Sequence, residues 1–232
     1  MTITIIFFES ALELIPKSLR KHPLIRKEWQ KGLRKKSRGI LLDGAIHRPL
    51  LDSLEDAEKR GRPDIIHHSL LAIVYSPLFR DNKIHVIIHT RNDLCIEIPS
   101  HWRVPVNYNR FCGLFSQLLL KKRVPLSGEP ILTVKHSSLF NLLDQFKGTE
   151  IFFCEQTGKN NKEIKAKNLS QISPISSKIF LIGGFQRGTT KVRIPESNIS
   201  PRDWMLLTLY EEVKPAWVIA AKLIHWLEVS DG

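Results

Sequence analysis

The order of apolar and polar residues predicts an α/β fold, a mostly parallel sheet flanked by helices. Three observations carry this. The chain opens on Thr2–Phe8, a run of β-branched and aromatic residues of the kind that fills a buried strand. Similar runs then alternate with segments of helical periodicity along the whole sequence. The last segment, Pro215–Leu227, is apolar nearly all round, whereas a surface helix shows one apolar stripe, so this one must be covered on several sides.

In chain order, Ser10–Leu19 is expected to be a helix closed by a basic stretch, and Leu41–Leu54 a second helix. Arg62-Pro63-Asp64 reads as a helix start, where a missing N–H is harmless and an acid suits the dipole. Apolar residues from Ile65 to Val74 carry that helix to about Tyr75. Lys83–His89 is a buried strand by its β-branched content, and Leu94–Ile98 alternates like the returning arm of a hairpin. From Asn107, the residues Phe111, Leu114, Phe115, Leu118 and Leu119 repeat at helical spacing. Ile131–Val134 is a short strand, Ser137–Phe146 a helix and Glu150–Cys154 a strand, followed by a polar loop at Thr157–Lys162. Lys178–Ile182 is a strand running into two glycines, and Met205–Tyr210 is a further short apolar run. No internal repeat or low-complexity segment interrupts the series.

With 232 residues, 42% of them hydrophobic, the chain fills one sizeable core, and wholesale disorder is excluded. One domain is expected over 1–232, with a basic elaboration near 17–60. No apolar run reaches the roughly 18 residues of a membrane span. The opening lacks a basic n-region and a small-residue cleavage site, and three widely spaced cysteines make no disulfide framework or metal knuckle. These features point to a cytoplasmic protein with no membrane partner. The 35 Lys and Arg against 23 Asp and Glu give a net charge of +12. Ten of the basic residues fall between Lys17 and Arg38, with Glu28 the one acid there. Further basic groups stand at Arg103, Arg110 and Lys121–Arg123, and at Lys159, Lys162, Lys165 and Lys167. Such a distribution favours a polyanion, most simply a nucleic acid whose counterions the lysines and arginines displace. Trp29, Trp102, Tyr108 and Phe111 lie among the charges, placed either to stack on unpaired bases or to fill the core.

Most enzyme signatures are missing: no P-loop, no dinucleotide fingerprint after the first strand, and no nucleophile elbow. His85 and His89 would sit about 13 Å apart on a strand, too far to share a metal, and no metal site is expected. Asp43, Asp64 and Asp93 are candidate acids, and Cys112 reads as a small core residue. The more specific feature is Phe180-Leu-Ile-Gly-Gly-Phe-Gln-Arg-Gly188, a strand ending in glycines. Glycines there serve either a tight turn or the approach of a ligand to backbone, at the strand end where open α/β sheets bind ligands.

Four segments in order resemble one family: Arg60-Gly-Arg-Pro-Asp-Ile-Ile-His67, His89-Thr-Arg-Asn-Asp93, Asn107-Tyr-Asn-Arg-Phe-Cys-Gly-Leu114 and Gly183-Gly-Phe-Gln-Arg-Gly188. Glu9-Ser-Ala-Leu-Glu-Leu-Ile-Pro16 and the late Leu209-Tyr210 and Ala216-Trp217 extend the likeness over nearly the whole chain. Together they resemble the ribosomal small-subunit pseudouridine N1-methyltransferases of archaea and eukaryotes, of the SPOUT class. The resemblance implies a C-terminal trefoil knot over about 150–232, a homodimer, S-adenosylmethionine as cofactor and small-subunit rRNA as substrate. It places Gly183 and Gly188 in one cofactor loop and Leu207, Thr208, Leu209, Tyr210, Glu211 and Glu212 in another, with Phe153–Gly158 as a third wall. It implies Arg62, Arg103 and Arg110 as RNA contacts and Asp64 as the acid that orients Arg62. No general base is identified, and Asp64 is a candidate. Four positions depart from the family pattern: Val106 replaces a frequent arginine, Gln186-Arg187 a frequent Pro-His, and Glu211 a frequent proline. Two other functions fit the same surface, a non-catalytic ribosome-assembly factor and a methyltransferase of this fold acting on tRNA.

Overall fold

The computed structural model describes residues 2–30, 39–154, 166–167, 169–173, 176–187, 204–210 and 212–231. The strands are β1 (Ile3–Ser10), β2 (Ile84–Thr90), β3 (Leu94–Ile98), β4 (Arg123–Val124), β5 (Leu132–Thr133), β6 (Lys135–His136), β7 (Glu150–Phe153), β8 (Ala166–Lys167), β9 (Lys178–Gly183) and β10 (Trp204–Leu207). The helices are α1 (Pro23–Gln30), α2 (Gly44–Leu51), α3 (Pro63–Val74), α4 (Pro77–Arg80), α5 (Tyr108–Lys121), α6 (Leu139–Leu143) and α7 (Ala216–Asp231). Eight strands form one sheet in the order β6-β3-β2-β1-β9-β7-β10-β8, and β4 and β5 make a separate small ribbon. The pairings from β2 through β1, β9, β7 and β10 to β8 are parallel, while β3 runs antiparallel to both β2 and β6. The expected mostly parallel α/β sheet is therefore present, with the Leu94–Ile98 hairpin arm at its antiparallel side.

Both faces of the central strands are buried, which explains their near-continuous apolar sequence. Ile3, Ile5 and Phe7 point into a core shared with Ile66 and Leu70 of α3, Phe111 and Phe115 of α5, and Leu223 of α7. Ile6 and Phe8 point the other way, against Leu139 and Leu142 of α6 and Phe153 of β7. Helix α7 packs on α3, with Trp217 edge-on to His68 at 5.3 Å between ring centroids. This cover accounts for one side of α7, while Trp217, Val218, Ile219 and Trp226 remain half-buried.

The segment 11–43 departs from the sequence reading. Ser10–Leu19 is not a helix. Here Ile15 N–H donates to the Ile40 carbonyl and Leu42 N–H to that of Glu13, around an antiparallel bridge between Leu14 and Leu41. One tight turn at Lys17–Leu19 follows Pro16. The second expected helix starts only at Gly44, where the Asp43 side chain caps Ala45 N–H. Pro49 lies inside it and His47 leaves helical geometry (φ −106°, ψ 21°), as expected where a proline lacks the N–H for the preceding turn. Ile15, Ile25, Ile40, Leu42, Leu50 and Leu51 close a small core of their own beneath this stretch. The chain that would trace the implied knot, at 155–165 and 188–203, lies outside the described residues, as do the Thr157–Lys162 loop and Lys159, Lys162 and Lys165.

Candidate functional site

The parallel strands β1, β7, β9 and β10 end on the same side of the sheet, and a cavity of about 620 Å³ opens there. Its floor is Phe8, Ile182, Gly183 and Leu207 from the strand ends, with Cys154 just beyond β7. The connection from β10 to α7 contributes Leu209, Tyr210, Glu212 and Lys214, and the first turn of α7 adds Ala216, Trp217 and Ile219. Arg62 and Ile65, at the start of α3, close the side facing the basic surface. Burial pushes the Cys154 thiol well up, so it is wall and not nucleophile.

Of the expected cofactor residues, Gly183, Leu207, Leu209, Tyr210 and Glu212 line this one cavity, while Thr208 is half-buried beside it. Gly188 and Glu211 lie outside the described residues, as do positions 155–158 of the third wall. Leu207 and Leu209 belong to the hydrophobic core as well as to the cavity wall.

The two glycines after β9 do different things, and neither has a positive φ. Gly184 N–H donates to the Phe8 carbonyl, and Ala11 N–H donates to the Gly184 carbonyl, each at 2.8 Å. At Gly184 a Cβ would stand 2.8 Å from Ser10 Cα, so the residue is glycine because two strand ends touch there. Gly183 faces the cavity, and a Cβ there would press on the Phe185 ring at 3.1 Å.

Arg62 stands immediately before the first turn of α3. Its Nε donates to Asp64 Oδ1 at 2.8 Å and its Nη2 to Oδ2 at 2.7 Å. This two-point pairing raises the arginine pKa still further and fixes the plane of the guanidinium. Arg103 and Arg110 are exposed and do not line the cavity. Their segment is fastened to α3 and α2 at two points. His67 Nε2 donates to the Pro105 carbonyl at 2.8 Å, and the Tyr108 hydroxyl donates to Asp43 Oδ2 at 2.6 Å. Burial and that bond push the Tyr108 pKa far up, so it stays a neutral donor. Phe111 is fully buried and Trp102 is half-buried, packing edge-on against Phe115. The core reading therefore holds for these two aromatics, and the Trp29 side chain lies outside the described residues.

Two buried ion pairs set the chain leading into α3 against the end of β1. Arg60 makes a two-point pair with Glu13 at 2.8 and 2.7 Å, and Lys59 pairs with Glu9 at 2.5 Å while lying 4.6 Å above the Phe185 ring. Sequence reading passed over Lys214 and Trp217, which line the cavity. The signal available was that apolar residues near the start of α7 exceeded what one helix face needs. His85 is exposed and His89 buried, and among the described residues no three His, Cys, Asp or Glu gather as a metal site. No helix among them is long and apolar enough to cross a membrane.

The fold has a solved counterpart. The crystal structure of Archaeoglobus fulgidus Nep1 bound to S-adenosylhomocysteine superposes with a TM-score of 0.83 at 28% identity, covering 100% of this chain and 99% of that one. The sheet and its strand-end cavity thus define a methyltransferase of the SPOUT class. The sequence model for EMG1/NEP1 methyltransferases matches residues 5–228. The relatives described as ribosomal RNA small subunit methyltransferase Nep1 include two that match nearly end to end. That of Thermococcus onnurineus is 35% identical over 96% of this chain and 98% of its own. That of Pyrobaculum aerophilum is 39% identical over 98% of each. The chain belongs to the EMG1/NEP1 methyltransferase family.

Proposed function

We propose that this protein transfers the methyl group of S-adenosylmethionine to N1 of a pseudouridine in a small-subunit rRNA loop. The observation that carries the reading is the shared cavity: five of the residues expected to hold the cofactor and Arg62, expected to meet RNA, border the same space. The names of the relatives as small-subunit rRNA methyltransferases and the S-adenosylhomocysteine in the A. fulgidus structure support it, as does the net charge of +12.

The cavity fits the cofactor. At about 620 Å³ it falls within the usual range for ligands of this size. Apolar walls at Ile182, Leu207, Leu209 and Ala216 suit a nucleoside, and Glu212, Lys214 and Arg187 at the rim suit the amino and carboxylate ends of the methionyl part. When bound, S-adenosylmethionine supplies a sulfonium methyl open to in-line attack. The chain contributes position: Arg62, held flat by Asp64, binds phosphate or stacks on an extruded base beside the cavity. Asp64 acts as a brace, both its oxygens accepting from Arg62. Arg103 and Arg110 extend the RNA footprint, and a second copy covering exposed parts of α7 makes a homodimer working in the cytoplasm.

The test is transfer of labelled methyl to an rRNA-like hairpin carrying pseudouridine or uridine at the loop position. Methylation of the pseudouridine hairpin alone is expected. Cofactor binding without transfer to either hairpin points to another RNA, such as a tRNA. Neither binding nor transfer overturns the enzyme reading and leaves an RNA clamp for ribosome assembly. In the same assay Arg62→Ala should weaken RNA binding and leave S-adenosylhomocysteine affinity unchanged. Equal loss of both makes Arg62 structural.

A further inference from the structure

The connection between β10 and α7 has no regular structure over its last residues, yet it forms one wall of the cavity. A wall without its own hydrogen-bond ladder needs something else to hold it. Lys222, two turns into α7, reaches back to it. Its Nζ donates to the Leu209 carbonyl at 2.6 Å and lies 4.0 Å over the centre of the Tyr210 ring. Lys222 is half-buried, does not line the cavity, and has no carboxylate partner among the described residues. Leu209 itself is nearly buried.

We infer that Lys222 is a positioning residue for the cofactor site, shaping the Leu209–Tyr210 wall from outside through one charge-assisted hydrogen bond and one cation–π contact. The ammonium meets two consecutive residues by two different interactions. That fixes both the direction of a backbone carbonyl and the plane of an aromatic ring, the two variables that set the wall's outline. The wall is then formed before the cofactor arrives, and binding does not have to order it. This inference rests on the proposal that the cavity takes S-adenosylmethionine.

The test compares Lys222→Met, which keeps the stem and loses the charge, with Lys222→Arg, which keeps a cationic donor, in the full chain. Lys222→Met should raise the Kd for S-adenosylhomocysteine and the KM for S-adenosylmethionine about tenfold. The kcat at saturating cofactor, the affinity for the RNA hairpin and the Tm without ligand should stay near those of the unmodified protein. Lys222→Arg should recover most of the loss. Unchanged cofactor affinity in Lys222→Met overturns the inference, and so does a parallel fall in RNA affinity and Tm. Ile219→Trp, filling the cavity from α7, separates the two layers of reasoning. If that variant binds S-adenosylhomocysteine normally, the cavity is not the cofactor site and the role of Lys222 falls with it. If it loses binding while Lys222→Met keeps it, only the role of Lys222 is lost.

Discussion

Gly184 is the clearest case of a residue chosen by contact. Its backbone is wedged between the Phe8 carbonyl and Ala11 N–H, with Ser10 against its α-carbon. Gly184→Ala should destabilise the fold by about 1–3 kcal/mol, the usual cost of overpacking a site that cannot yield. It should also widen the β1–β9 end that floors the cavity. Denaturant midpoints with and without S-adenosylhomocysteine check this, and a midpoint equal to that of the unmodified protein would refute the close approach. His89 gives a pH dependence at the same scale. Burial, opposed by Asp93, lowers its pKa below the ordinary 6.5. The folded protein thus binds a proton less readily than the unfolded chain, so this contribution is intact at neutral pH. It is lost as pH falls below about 6.5. His67 is shifted the same way, also by burial. Stability measured by urea unfolding should decline from pH 7 to pH 5, and His89→Gln should make the decline shallower. An unchanged slope would assign the effect to other groups.

At the scale of elements, the stretch from Ala11 to Asp43 was read least well, and the reason is physical. Ser10-Ala-Leu-Glu-Leu-Ile-Pro16 has helical composition, but its backbone groups pair with Ile40 and Leu42, far away in sequence. The Glu13 side chain is needed at Arg60. Local propensity is a weak prior where such long-range partners compete for the same N–H and C=O groups. Strands β1, β2, β7 and β9 and helices α3, α5 and α7 were legible, because burial on both faces or on one stripe imposes a period that survives in sequence. The Arg60–Glu13 pair joins the two kinds of element. Side-chain exposures of 8% and 3% leave either partner nearly without water if the other is removed. Glu13→Ala should therefore cost about 3–5 kcal/mol, while the double change Glu13→Leu with Arg60→Met should recover much of that. Chemical denaturation of the three variants decides it. A cost below about 1 kcal/mol for Glu13→Ala would mean that the pair is hydrated and weak.

For the whole molecule, the charge is an excess spread over a surface, and its consequence is electrostatic. Arg103 and Arg110 are exposed, and their segment is tied to the base of the cavity-lining helix α3 through His67 and Pro105. Each should contribute to RNA affinity by releasing counterions. Arg103→Ala and Arg110→Ala should each lower the slope of log affinity against log salt by about 0.7, measured by anisotropy between about 50 and about 200 mM salt. Weaker binding without a change of slope would make the arginines structural. The sequence carried the class of fold, the basic character and the glycine-bearing strand, since each is a local pattern of residue type. It also carried, by resemblance, Arg62, Gly183, Leu207, Leu209, Tyr210 and Glu212 among the residues that border the cavity. Folding alone decided that Arg62 shares a space with Leu209 and Tyr210, that Gly184 meets Ser10, and that Lys222 reaches the Leu209 carbonyl. Those contacts join residues distant along the chain or on separate elements. Their distances follow from how strands are ordered and helices are laid across them, which no local spacing encodes.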